Sequence, residues 1–576
     1  MPSVQDSAEL RRILAIPRRV YSDADADRLV DLLTNALKTP HGTMRLMRHQ
    51  AIALAEIAQY GGVFLPLPVG AGKTLISFLA PVVYASMRGV PVHRPLLVIK
   101  ASLLDKTNLD EIALREHWTL PPFMRKITYE KISRATSADF FRTYDPDFLI
   151  ADEAHAWKNV KASSSRKGLR FLNERVHVPF VVLTGSPIGT SIKDTAHLMS
   201  RALGHMSPLP RNHVDITEWA CAVDVESRNP FDEGALRLLA APGEDVRIAL
   251  QRRIVETPGV VTMSGTTIDT PITIRSHVRE LAPEQIEALA NLRKLGQTPD
   301  GELAEDSLAI ARHASELALG FYSTWDPRPP AEWLARRRAW HSICRDVLDS
   351  NRREIDSAEQ LTLHLARHPE HYPDAAKAWR DWKEIEPIYT KTPIARWFSD
   401  HTLRWCLDWL EKDRKQLARG GSILWTNRPA FGLKLAEASG LPYFGEEGID
   451  VRTGARIGAA RGQIIASSGA CGTGHNLQSF ARNLCLDIPR SPITWEQRIG
   501  RTHRPGQRAT LIEVDLAFGV IEDAIRFESA CAHALNVQQL TGQTQKLVFA
   551  DSTDVDQVAE LVQLPGPQWQ RPRKRS

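Results

Sequence analysis

Cysteine is scarce and scattered, with six thiols in 576 residues, at positions 221, 344, 406, 471, 485 and 531, and no CxxC pair. That spacing excludes a disulfide scaffold, a zinc ribbon built on cysteine and a thioredoxin-like redox motif, and it fits a reducing compartment. No apolar run is long enough to span a bilayer. The opening "MPSVQDSAELRRILAIPRRVYS" lacks the apolar core of a signal peptide, so the expectation is a soluble intracellular protein with no membrane partner. Charge of one sign is not in excess either. Lys and Arg number 73 against 68 Asp and Glu, a net +5 that permits a polyanionic partner without requiring one. Repeats and low-complexity tracts are absent, apart from a basic, Pro-containing ending, "LPGPQWQRPRKRS", that reads as a loose tail. What remains is an ordinary globular composition, 43% hydrophobic and 24% charged, with core enough for at least two domains.

The first chemical signal is "GGVFLPLPVGAGKTLISFLAPVVYASM", a short apolar run, a glycine-containing turn and a helical pattern beginning near Lys73. Such a turn aims backbone N–H groups inward as an anion nest, backed by the positive end of the following helix. In the pattern GxxxxGK[ST], Gly72, Lys73 and Thr74 match, with Gly70 beside them, whereas Leu67 stands where the first glycine is usual. Lys73 then reaches the outer phosphates and the Thr74 hydroxyl ligates Mg2+. Further on, "PDFLIADEAHAWKN" reads as a buried strand, Phe148 to Ala151, with Asp152 and Glu153 emerging at its carboxyl end, where open parallel sheets bind ligands. Two adjacent carboxylates divide the labour, Asp152 holding Mg2+ and Glu153 orienting the attacking water. "PFVVLTGSPIGTS" supplies another strand, Phe180 to Leu183, ending in Thr184, Gly185 and Ser186, small polar groups suited to sensing the neighbouring site.

Near the far end, "QRIGRTHRPGQ" spaces Arg498, Arg501 and Arg504 at three-residue intervals, which lines them along one side of a helix. Taken alone, that is a solvated face. Taken in order, "LMRHQ" (46–50), "PVGAGKT" (68–74), "LLVIKASLLDKTNLDEI" (96–112), "ITYEKIS" (127–133), "DEAHAWKN" (152–159), "LTGSP" (183–187), "ACGTGHNLQ" (470–478) and "QRIGRTHRPGQ" (497–507) resemble the motif set of superfamily-two helicases, and within them the Swi/Snf-type branch. The likeness covers roughly 45–200 and 390–510, with an echo at "ALQRRIVETPGVV" of the paired-arginine segment that links the lobes in that family.

The resemblance implies an α/β fold of two RecA-like parallel-sheet lobes with a helical insertion between them, binding ATP and Mg2+. Arg501 and Arg504 then act as arginine fingers on the γ-phosphate, and Gln50 reads the adenine edge. His155, Thr184, Gly185 and Gln497 couple hydrolysis to movement, while Lys100, Ser102, Thr473 and Asn476 grip nucleic-acid phosphates without reading sequence. Two positions depart from the family, Lys100 in place of proline and Thr107 in place of tryptophan. The implied activity is ATP-dependent translocation on, or remodelling of, duplex DNA. A strand-separating DNA or RNA helicase and an ATP-gated DNA clamp remain open beside it, and RNA remains open as partner. The absence of recognisable chromatin-reading or nuclease motifs points to a bacterial or phage-infected cytoplasm.

The expected division is an N-terminal helical segment (1–40), lobe 1 (41–215), a linking segment (216–281), a helical insertion (282–388), lobe 2 (389–535) and a C-terminal extension (536–576). The insertion offers a surface for a protein partner. Its Trp333, Trp340, Trp379 and Trp382, interleaved with Arg336, Arg337 and Arg338, fit core anchors better than a base-stacking surface. In "HLARHPEHY", His364, His368 and His371 fall at helical spacing, but Pro369 argues against a continuous helix and no familiar ligand pattern completes the set, so no zinc site is expected.

Overall fold

The computed structural model describes residues 7–137, 139–185, 188, 191–226, 230–263, 265, 268–301, 304, 307–350, 355, 358–390, 392–416, 420–472 and 474–553. Ser186, Thr473 and the basic tail lie outside the described residues. The chain is a mixed α/β protein with a five-stranded and a seven-stranded parallel sheet and many helices. It divides into two compact units, the first drawing on the spans Met1–Thr267, Cys344–His371 and Ala532–Gln545, the second on Ile268–Ile343, Tyr372–Cys531 and Lys546–Ser576. Among the described residues no helix is long and apolar enough to cross a membrane.

In the first unit the strands are β1 (Val63–Pro66), β2 (Pro95–Ile99), β3 (Arg125–Thr128), β4 (Phe148–Ala151) and β5 (Phe180–Thr184), in the order β1-β5-β4-β2-β3. All pairs are parallel. Parallel sheets are covered on both faces, so their strands read as unbroken apolar runs, as "VFLP", "PLLVI" and "FVVL" do here. Side chains alternate between faces. Phe64, Leu96, Val98, Leu149 and Val182 enter one core, whereas Val63, Leu65, Leu97, Ile150 and Val181 enter the other. Arg253, from the paired-arginine segment, is buried in this unit and donates to the carbonyls of Ile16 and Pro17.

The second sheet contains β6 (Ile272–Val278), β9 (Gly421–Thr426), β10 (Tyr443–Phe444), β11 (Gln463–Ser467), β12 (Phe480–Cys485), β13 (Ile512–Phe518) and β14 (Asp551–Thr553), in the order β10-β11-β9-β12-β13-β6-β14. Two strands fall outside the 389–535 span drawn from sequence. β6 belongs to the segment expected to be a linker, and β14 to the C-terminal extension. The helical insertion also holds a strand. β7 (Phe321–Thr324) pairs antiparallel with β8 (Ile394–Trp397), and residues 344–371 of the insertion group with the first unit. Trp333, Trp340 and Trp382 are buried, and Trp333 meets Trp325, Trp382 and Tyr389 edge-on at 5.0–6.0 Å, which is the packing of core anchors rather than of a base-stacking platform.

A charged knot holds the second sheet at its β9, β11 and β12 strands. Asp413 pairs with Arg482 from β12 and accepts from Ser422 of β9 at 2.5 Å and Gln463 of β11 at 2.8 Å, all buried. Removing one member of a buried ion pair strands the other charge in a medium that cannot solvate it. Asp413→Ala is therefore expected to lower unfolding free energy by about 3–5 kcal/mol in denaturant titration; a loss under about 1 kcal/mol would show that Arg482 finds water instead.

Candidate active site

The loop between β1 and the helix Lys73–Arg88 turns on two left-handed glycines, Gly70 at φ +94° and Gly72 at φ +74°. The backbone angle at Gly72 favours glycine, and a Cβ there would fall 2.2 Å from Gln50 Nε2, so any other residue would also have to displace that amide. Leu67, the departure from the usual pattern, has no positive φ. Its amide bonds the Thr184 carbonyl at 3.0 Å and its side chain is buried, so this position continues the sheet before the turn begins and tolerates a Cβ. Lys73 opens the helix with its ammonium folded back over the loop, donating to the carbonyls of Leu67 at 3.0 Å and Pro68 at 3.3 Å. Thr74 follows in the same first turn, half-buried.

β4 ends where Asp152 and Glu153 begin, and Glu153 adopts φ +52°, a conformation uncommon outside glycine. That twist places its carboxylate 3.8 Å from Lys73 Nζ and brings its amide to Asp152 Oδ1 at 2.9 Å. The buried Tyr129 hydroxyl donates to the Asp152 carbonyl at 2.8 Å, fixing the strand end. Burial, with the Glu153 charge beside it, pushes Asp152 up to about 6. Burial works to raise Glu153 as well, but Lys73 and His155 overcome it and hold that carboxyl well below the usual range.

His155 lies between the carboxylate and Lys100. Its Nδ1 is 3.2 Å from Glu153 Oε2, and its Nε2 is 2.8 Å from Lys100 Nζ. An ammonium can only donate, so Nε2 accepts and the ring proton sits on Nδ1, directed at Glu153. Burial, opposed by Glu153 but aided by the Lys100 charge, lowers the imidazole below its ordinary range and keeps it neutral. Lys100, expected on the nucleic-acid track, is thus brought to the carboxylate cluster. Strand β2 ends beside β4, and a lysine there reaches across by one strand spacing. Thr184 Oγ1 lies 3.5 Å from His155 Nδ1, and the Gly185 amide 3.4 Å from Glu153 Oε2. A residue that sequence reasoning missed completes this corner. Gln543, fully buried, donates to the Gly185 carbonyl at 2.9 Å from hundreds of residues away, a partnership with no local signal.

The structure therefore brings Gln50, Gly70, Gly72, Lys73, Asp152, Glu153, His155, Thr184, Gly185 and Lys100 together. Gln50 is buried, accepting from the Met47 amide at 2.9 Å and donating to the Ala71 carbonyl at 3.2 Å. Ser102 lies exposed in the turn after β2 and Asn476 exposed in the second unit. A Thr hydroxyl and a carboxylate are the hard oxygen donors that Mg2+ takes, and the paired carboxylates face one ammonium, so Thr74 and Asp152 fit that ion.

In the second unit, the helix Pro492–Thr502 ends before Arg504, so the three arginines do not share one helix face. Nor is that face solvated. Arg498 is buried and paired to Asp487 at 2.6 Å, and Arg501 is buried with its guanidinium on the carbonyls of Gly472, His475 and Gln497 at 3.0–3.2 Å. Arg504 lies past the helix end, half-buried. The same unit contains a cavity of about 680 Å³ lined by Arg312, Arg428, Arg490, Arg498 and Arg526 against one carboxylate, Asp487. Its walls include residues that follow β9, β11 and β12, at the carboxyl ends of adjacent parallel strands, closed on one side by the helix Ser307–Ala318. Burial lowers Arg428 from its ordinary value, and the neighbouring Arg312 and Arg526 add to that against Glu316 and Asp487. Such crowding of like charge is what an anion relieves. These arginines are dispersed over more than 200 positions, so sequence spacing could not assemble them. Compared with protein-family models and with curated proteins, the chain finds no match in either.

Proposed function

We propose that the chain is a nucleic-acid-dependent ATPase with two RecA-like lobes, a motor that moves along duplex DNA without needing a free single strand. The observation that carries this reading is the cluster of Lys73, Glu153, His155 and Lys100 beside a glycine-turned loop, at the carboxyl edge of a parallel sheet. The Lys73 ammonium, held by the carbonyls of Leu67 and Pro68, exchanges them for phosphate oxygens when nucleotide binds. Thr74 and Asp152 would hold Mg2+, which would supply neutralising charge on those oxygens. Glu153 stays ionised under Lys73 and accepts the His155 proton on one oxygen, which leaves the other to orient water. Thr184 and Gly185 touch the same two side chains, so a change at the phosphate reaches β5. Arg501 and Arg504 serve as fingers, Arg504 being the one past the helix end and Arg501 tied to the Gly472–His475 backbone. The basic cavity supports a backbone-reading track, since guanidinium groups recognise phosphate bidentately and without regard to base.

Two substitutions separate binding from chemistry. Lys73→Ala is expected to abolish nucleotide binding, whereas Glu153→Gln retains binding and blocks hydrolysis, because only the second leaves the phosphate cradle intact. Equal nucleotide affinity in wild type and Lys73→Ala, read by titration of a fluorescent ATP analogue, would remove the loop from the account.

The track is tested by displacing the third strand of a blunt triplex, an ATP-dependent reaction expected here without a loading tail. Arg428→Gln is expected to weaken duplex binding uniformly across sequences and to reduce the salt slope by about 1. Robust unwinding of tailed duplexes with failure on the triplex would replace the translocase with a strand-separating helicase.

A further inference from the structure

The histidines of "HLARHPEHY" converge because of the proline that, in the sequence, seemed to separate them. The helix Ala358–Arg367 carries His364 in its last turn and stops, since Pro369 has no N–H to continue it. The backbone then tightens into the 3₁₀ turn Pro369–His371, with His368 N–H on the His364 carbonyl at 2.8 Å and His371 N–H on the His368 carbonyl at 3.2 Å. Three residues per turn in place of 3.6 swing His371 back over the helix end. The three imidazole centroids come to lie 5.0–5.4 Å apart.

A carboxylate joins them. Glu370 Oε1 is 3.4 Å from His368 Nδ1 and 3.6 Å from His371 Nε2, and donor atoms of these three residues all lie within 4.8 Å of one another. Ligands bound to zinc at about 2.0–2.1 Å in tetrahedral array are separated by about 3.4 Å, so the two distances to Glu370 already match a coordination shell. The second nitrogen of His371, Nδ1, meets His364 Nε2 at 2.9 Å. That is the arrangement of a metal-binding imidazole whose far nitrogen is fixed by an outer partner: with Nε2 bare toward the ion, Nδ1 carries the proton and donates it to His364. His368 and Glu370 are exposed and His371 half-buried, which leaves the fourth position to water.

We propose that His368, Glu370 and His371 bind a divalent transition metal, Zn2+ by its donor set of two imidazoles and one carboxylate, with His364 as positioning residue. An ordinary surface ion pair needs one imidazole and one carboxylate; here two rings share one carboxylate oxygen while a third fixes the far nitrogen of one of them, which is what a cation organises. The metal ties the last turn of the helix to the turn that follows, at the point in the chain where the first unit's span ends and the second's begins. The site is distinct from Thr74 and Asp152 in place and in donor type, nitrogen-rich where those are oxygen.

The test uses untagged full-length protein, stripped with chelator and free of nucleotide, titrated with Zn2+ in competition with a chromophoric chelator and with Co2+ for its visible spectrum. One equivalent bound with Kd below about 1 µM is expected. His371→Ala, at a half-buried position, and Glu370→Gln, at an exposed one, each remove that equivalent, and the folding of both is checked by circular dichroism. His364→Ala lowers affinity by about 10–100-fold without changing the form of the Co2+ spectrum, and His364→Gln, which restores an acceptor, recovers part of the loss. Binding weaker than about 1 µM, or a high-affinity equivalent that survives in His371→Ala, overturns the proposal.

Discussion

Everything at the candidate nucleotide site depends on one electrostatic constraint: two neighbouring carboxylates, Asp152 and Glu153, leave a buried strand end together and cannot both be charged cheaply. Lys73 resolves the conflict in favour of Glu153, 3.8 Å away, and Asp152 takes the consequence, its carboxyl pushed up to about 6. The residues around them serve that division. Gly72 lets the loop turn so that Lys73 opens the helix, Tyr129 fixes the strand end, and the positive φ of Glu153 aims its side chain at the ammonium rather than along the sheet. His155 is neutral and its tautomer is set by Lys100, so its one ring proton sits on Nδ1 and the hydrogen bond runs from the imidazole to Glu153.

The second unit handles charge differently. Arg482 is buried against Asp413 and Arg498 against Asp487, whereas Arg428, beside Glu316, also stands near Arg312 and Arg526 at the cavity. The buried pairs hold strands and helix in place, and the cavity gathers more guanidinium groups than carboxylates. A chain with a net charge of only +5 can thus present a strongly basic concavity, since the bulk balance averages over a surface that is locally uneven.

Local chemistry was legible in the sequence and long-range assembly was not. The strands Phe148–Ala151 and Phe180–Thr184, the helix start at Lys73 and the pairing of Asp152 with Glu153 each follow from apolar runs and residue types within a few positions. β6, β7 and β14 were hidden because short strands inside segments of other character carry little periodicity. Lys100 was expected on the nucleic-acid track because nothing in its sequence neighbourhood announces His155. Gln543 and the arginine cavity depend on residues brought together by the fold alone. The convergence of the histidines was not legible for the opposite reason: Pro369 is a helix stop, but a stop that tightens the turn gathers side chains instead of dispersing them. Spacing alone would make the arginine row a solvated face, and the burial of Arg498 and Arg501 comes from partners at Asp487 and Gly472 that spacing cannot reveal.

The central proposal is an ATPase in which Arg504 serves as an arginine finger. Single-turnover hydrolysis of ATP by Arg504→Ala, saturated with duplex DNA and compared with wild type, measures it directly. The account predicts a fall in rate of at least about 10³-fold with nucleotide affinity unchanged, the contribution expected of an arginine finger. Hydrolysis at the wild-type rate would contradict it and leave Arg504 as a structural residue at a helix end.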